Sequence, residues 1–96
     1  MAAKLRYPMT MAETSLDKHI ADNCAIVGAN VARLREKAGM GVSELADKAE
    51  IAQELTHRIE EGDPEMDVIS LTKLANALDV PITTLFEGCY KRQRDN

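Results

Sequence analysis

Between Leu45 and Gly62 the chain reads LADKAEIAQELTHRIEEG, and its apolar residues suit one side of two short helices joined by a sharp junction. Leu45, Ala46 and Ala49 recur at three- and four-residue spacing, and after Ile51 the period resumes with Leu55 and Ile59. A stripe with that period belongs to a helix and not to a strand, whose buried positions alternate. On the second helix the same spacing leaves Gln53, Glu54, His57 and Arg58 on the outward side. The pair therefore combines a face to be buried with a polar face free to meet a partner.

The flanking sequence continues the helical pattern. Ile26, Val27, Val31 and Leu34 predict a helix over about residues 24–38, stopped by Ala38-Gly39, where glycine accepts the left-handed conformation that ends helices. Gly41 is the expected cap of the next helix, which runs to about residue 49, and the following one spans about residues 52–61. Gly62 and Pro64 break the chain, and Asp67 caps a helix to about residue 78 whose Ile69, Leu71, Leu74, Ala75 and Leu78 are expected inside. Pro81 suits the start of a short last helix carrying Ile82, Leu85 and Phe86. No segment alternates long enough for a strand, so the expected fold is all-α, a compact bundle of four or five helices. Residues 1–22 read as an N-terminal extension with at most a short helix near 15–21, residues 23–88 as the domain, and residues 89–96 as a basic tail.

With 96 residues the chain suits one domain, and 45% hydrophobic content argues against wholesale disorder. No apolar run approaches the roughly 18–20 residues that span a bilayer, and the start lacks a secretory pattern. A cytoplasmic location without membrane attachment is expected. Cys24 and Cys89 are too few and too far apart in sequence for a disulfide framework, which predicts free thiols. Charge is unevenly spread: residues 23–90 hold six Lys/Arg against twelve Asp/Glu, whereas the tail KRQRDN is basic. An acidic body counts against promiscuous nucleic-acid binding. His19 and Cys24 lack zinc-ligand spacing, and no phosphate-cradling loop or nucleophile elbow is present. Neither metal, cofactor nor enzymatic chemistry is expected.

The ordered set VARLREKAGM, SELADKAEI, RIEEG, LTKLANALDV and ITTLF resembles the lambda-repressor/Cro-type helix-turn-helix family, also called the Xre family, over roughly residues 26–87. The resemblance implies a lambda-repressor-like bundle in which the helix near 52–61 is the recognition helix. It implies an ion pair between Arg35 and Glu60 that locks the first helix to the third, and a close helix approach at Ala46. Departures from the family pattern are also plain. Gly41 and Val42 stand where a Ser/Thr cap and a Gln are usual, and Glu50 takes the place of a turn glycine. Left-handed backbone is costly for Glu50, so a lengthened helix is expected there. Thr56 replaces a buried aliphatic, with Leu55 beside it, which implies a rotated helix or a Leu55 packed on a partner. Glu61, Asp63, Glu65 and Asp67 fill a loop that usually approaches phosphate, and Met66 takes the place of the family's proline.

The candidate DNA contacts follow from position and chemistry. Gln53 opens the recognition helix, where its amide matches adenine, and Arg58 one turn later reaches a guanine or a phosphate. The alternative for Gln53 is a solvated first-turn residue, and for Arg58 a surface ion pair with Glu54 at i−4. Glu54 suits a cytosine amino group or simply the helix dipole, and His57 suits a base, a phosphate or solvent. Lys48, Arg33, Lys37 and the tail residues Lys91, Arg92 and Arg94 are candidate phosphate clamps, the tail being the best of them. Ile82, Phe86 and Tyr90 are the expected homodimer contact, which would set two recognition helices about 34 Å apart on double-stranded DNA. The expected function is a sequence-specific transcriptional regulator on a pseudo-palindromic operator. The alternative is a protein-interaction module on the same fold, an antitoxin-like subunit or adaptor.

Overall fold

Among the described residues of the computed structural model, five helices follow one another: α1 (Ala3–Lys37), α2 (Val42–Ala49), α3 (Gln53–Glu60), α4 (Val68–Leu78) and α5 (Ile82–Leu85). The structure describes the backbone of residues 3–89 and the side chains of residues 19–89. Among these there is no strand, so the fold is all-α as the apolar periods predict. The first helix departs from expectation. It does not begin near residue 24 after an extension but runs unbroken from Ala3. Pro8 lies in its second turn, where it has no amide to donate to the Lys4 carbonyl.

The helix ends obey their local chemistry. α1 stops as expected at Gly39, whose φ of 75° lets the Met40 amide donate back to the Arg35 carbonyl. Gly41 caps α2 in extended backbone, and the Asp67 carboxylate accepts from the Ser70 amide to cap α4. Between α2 and α3, Glu50 does take the left-handed conformation, with φ 61° and ψ 42°, so α2 is not lengthened. The Glu50 and Ile51 amides donate to the carbonyls of Asp47 and Ala46, which satisfies the end of α2 and offsets a cost of roughly 1 kcal/mol.

All five helices meet in one core. Val31 of α1, Leu45 of α2, Ile59 of α3, Leu74 of α4 and Leu85 of α5 are completely buried, each worth about 1.5–3 kcal/mol. Ala46 and Ala49 lie beside them, so the apolar side of the α2–α3 pair is buried as its spacing predicts. Ile69 is a correction. It is 65% exposed, because two residues from Leu71 is about 200° around a helix, and Ser70 takes the inward position instead. Thr56 is also completely buried, with its hydroxyl donating to the Ala52 carbonyl at 3.1 Å. Returning the hydroxyl to its own helix lets threonine occupy an aliphatic position. Leu55 then packs at the edge of the same core.

Candidate nucleic-acid interface

The aim of α3 is set by α1. At Gly28 the two helices approach so closely that an added Cβ would lie 2.7 Å from the Glu60 carbonyl oxygen and nearer still to that of Ile59. Seven residues on, Arg35 grips the side chain of Glu60 with both edges of its guanidinium fork. Its Nε donates to Oε2 at 2.7 Å and its Nη2 to Oε1 at 3.1 Å. The remaining Nη1 donates to the Met40 carbonyl at 3.0 Å, so one guanidinium ties together α1, the turn before α2 and the end of α3. Both side chains are largely buried, at 14% and 10% exposure. The hydrogen bond to Glu60 raises the Arg35 pKa above its ordinary value against the opposing effect of burial. Such bidentate pairing is strong and directional.

Held in this way, α3 turns Gln53, Glu54, His57 and Arg58 to solvent, and with Glu61 they line one open depression. All four residues that the spacing assigned to the outward side share that face. Gln53 is the first helical residue, following Ala52 at the cap. Arg58 is 55% exposed, and its ion-pair partner is not Glu54, the alternative that the i−4 spacing offered. Its Nε lies 3.3 Å from Oδ2 of Asp63. The loop fixes that carboxylate. The Asp63 amide donates to the Arg58 carbonyl at 3.0 Å, and Asp63 Oδ1 accepts from the Glu65 amide at 2.9 Å. The acidic loop thus curls back on α3 and offsets part of the charge of its exposed arginine. No hydrogen bond or ion pair among the described residues engages the Nη1 and Nη2 groups of Arg58.

The other candidates are dispersed. Lys48 is exposed on the last turn of α2, and Lys37 is exposed at the end of α1. Arg33 donates to the Asn30 Oδ1 at 3.2 Å. Arg92, with Lys91 and Arg94, lies outside the described residues, as does Tyr90 of the expected dimer contact. Of its two companions, Phe86 is 39% exposed, whereas Ile82 is partly buried against the core. Val68, also exposed, lines the same hollow as Phe86.

Two positions that set this geometry, Gly28 and Asn30, and the pairing of a third, Asp63, escaped the sequence reading. Gly28 sits inside a helical period, where glycine is unfavourable, and that oddity is a usable signal of close packing. Asn30 is buried and donates to the carbonyls of Leu85 and Glu87 at 2.8 and 2.9 Å, which fixes the end of α5 on α1. Its place on the apolar side of α1 was the available clue. Asp63 offered none, because its partner is chosen by the course of the loop.

No family model and no curated protein matches the chain, so the resemblance rests on the quoted residues alone. No helix among the described residues is long and apolar enough to cross a membrane.

Proposed function

We propose that the chain is a sequence-specific regulator that binds double-stranded DNA as a homodimer, with the outward face of α3 in the major groove. One observation carries this reading: Gln53, Glu54, His57 and Arg58 line a single solvent-open face of a helix braced from behind by α1 and α2. A braced helix presenting polar side chains from its first turns is the arrangement that groove reading requires. Gln53 supplies an amide for adenine, and the Nη pair of Arg58 supplies two donors for guanine. Phosphate affinity comes from Lys48 and from the basic tail around Arg92. Phe86 supplies the apolar contact of the two-fold interface, and regulation follows from occupying a pseudo-palindromic site in the cytoplasm, with no cofactor.

A second reading has its own observation. Asp63 pairs with Arg58, and Glu61 borders the same depression, so the face is less cationic than a phosphate-binding surface usually is. The same side chains would then meet a basic protein partner, as in an antitoxin-like subunit or adaptor. Selection from a pool of random duplexes at two salt concentrations separates the two. Operator binding predicts an enriched two-fold motif whose occupancy falls with salt. A pool left unenriched at low salt favours the protein partner.

A further inference from the structure

Cys24 and Cys89 stand at opposite ends of the domain sequence, yet they line one small apolar hollow with Val27, Met66, Leu71 and Phe86. The fold builds that convergence. Asn30 pins the carbonyls of Leu85 and Glu87 against α1, and Gly88, with φ 87°, turns the chain back so that Cys89 returns to the helix. The Cys89 thiol then donates to the Asn23 carbonyl at 3.8 Å, one residue from Cys24. Both thiols are free and half-buried. Burial pushes both upward in pKa. Asp63 adds to the effect at Cys24, and Cys24 itself adds to the effect at Cys89, as expected of neighbouring thiols.

We propose that Cys24 and Cys89 are a peroxide-responsive pair that closes into a reversible intramolecular disulfide. In the first step the thiolate sulfur of one cysteine attacks a peroxide oxygen. An S–O bond forms, the O–O bond breaks, and hydroxide leaves a sulfenic acid on the protein. The second thiolate then attacks that sulfur, so that the S–S bond forms as the S–O bond breaks, and a second hydroxide departs. The two thiol protons convert both hydroxides to water. The sulfur pair has lost two electrons and the peroxide has gained them. Because the resting thiols are protonated, the pair stays reduced under mild conditions and reacts slowly. Once closed, the cross-link joins the residue from which the basic tail departs to α1, beside the exposed ring of Phe86. This assignment does not depend on what α3 binds.

The test uses the full chain, reduced and folded, exposed to hydrogen peroxide and then alkylated under denaturing conditions for peptide mapping. The expected product is a monomer lighter by two hydrogens, with Cys24 and Cys89 in one cross-linked peptide that dithiothreitol separates. Its thermal midpoint should rise by on the order of 10 °C, since the bond closes a long loop. Cys24→Ser and Cys89→Ser should each lose the cross-link and leave a sulfenic acid on the remaining cysteine that dimedone traps. The proposal is overturned if both cysteines remain alkylatable in the peroxide-treated folded chain. It is equally overturned if only intermolecular disulfides form, or if the cross-link appears only in urea.

Discussion

Asp63 holds the Nε of Arg58 at 3.3 Å while the arginine side chain stays 55% exposed. A carboxylate on that edge both aims the side chain and cancels part of its charge. The pair is too exposed to matter for stability, where such contacts are worth under about 1 kcal/mol. Its effect is felt at whatever the face binds.

Replacing Asp63 with asparagine should therefore leave the melting temperature nearly unchanged and raise affinity for duplex DNA by several-fold for all sequences. One negative charge near phosphate is removed, and Arg58 loses its orientation, so discrimination at one base position should fall. Fluorescence anisotropy with an enriched duplex and its single-base variants checks both. Unchanged affinity and discrimination would remove Asp63 from the interface.

Arg58→Ala and Arg92→Ala should behave differently in the same assay. Loss of Arg58 should cost about 1–3 kcal/mol at one base position and relax specificity there. Loss of Arg92 should weaken all sequences alike and shorten the salt dependence by about one counterion.

The lock between α1 and α3 gives a stability prediction. Arg35→Ala should destabilise the fold by about 3 kcal/mol in urea unfolding, because it strands the Glu60 carboxylate at 10% exposure and frees the Met40 carbonyl. Gly28→Ala should also destabilise it, by about 1–3 kcal/mol, despite the better helix propensity of alanine. The new methyl would meet backbone atoms that cannot swing aside.

At Glu50 the direction reverses. Its left-handed backbone suits glycine, so Glu50→Gly should stabilise the chain by about 0.5–1 kcal/mol.

Acid should loosen α4 first at its cap. The hydrogen bond to Ser70 holds the Asp67 carboxyl below its ordinary pKa, so the charged form is favoured in the folded chain. That contribution is complete above the ordinary aspartate range and is lost as pH falls below it through the depressed value. Asp67→Asn should flatten this acid limb of the stability profile, measured by circular dichroism.

The parts of this fold that sequence makes legible are those governed by local period and local caps. The α2–α3 stripe, the stop at Gly39 and the Asp67 cap all depend on neighbours within one or two turns. Ile69 was legible by the same logic, because Leu71, Leu74, Ala75 and Leu78 already set the stripe and Ile69 falls outside its period. The approach at Gly28, the anchor at Asn30 and the pairing of Asp63 depend on how distant segments pass one another, which periodicity does not encode. Arg35 and Glu60 are 25 residues apart, and only the family resemblance suggested their contact. The outward face of α3 was legible because it is the complement of a buried stripe.

The central claim, that this face reads DNA, is tested most directly by passing wild-type protein and a Gln53→Ala/Arg58→Ala variant through the same duplex selection. Circular dichroism would confirm equal folding of the two proteins. The account predicts a two-fold motif for the wild type and its loss in the variant, with residual binding that depends on salt alone. The same motif enriched by both proteins, or none by the wild type at low salt, would contradict it.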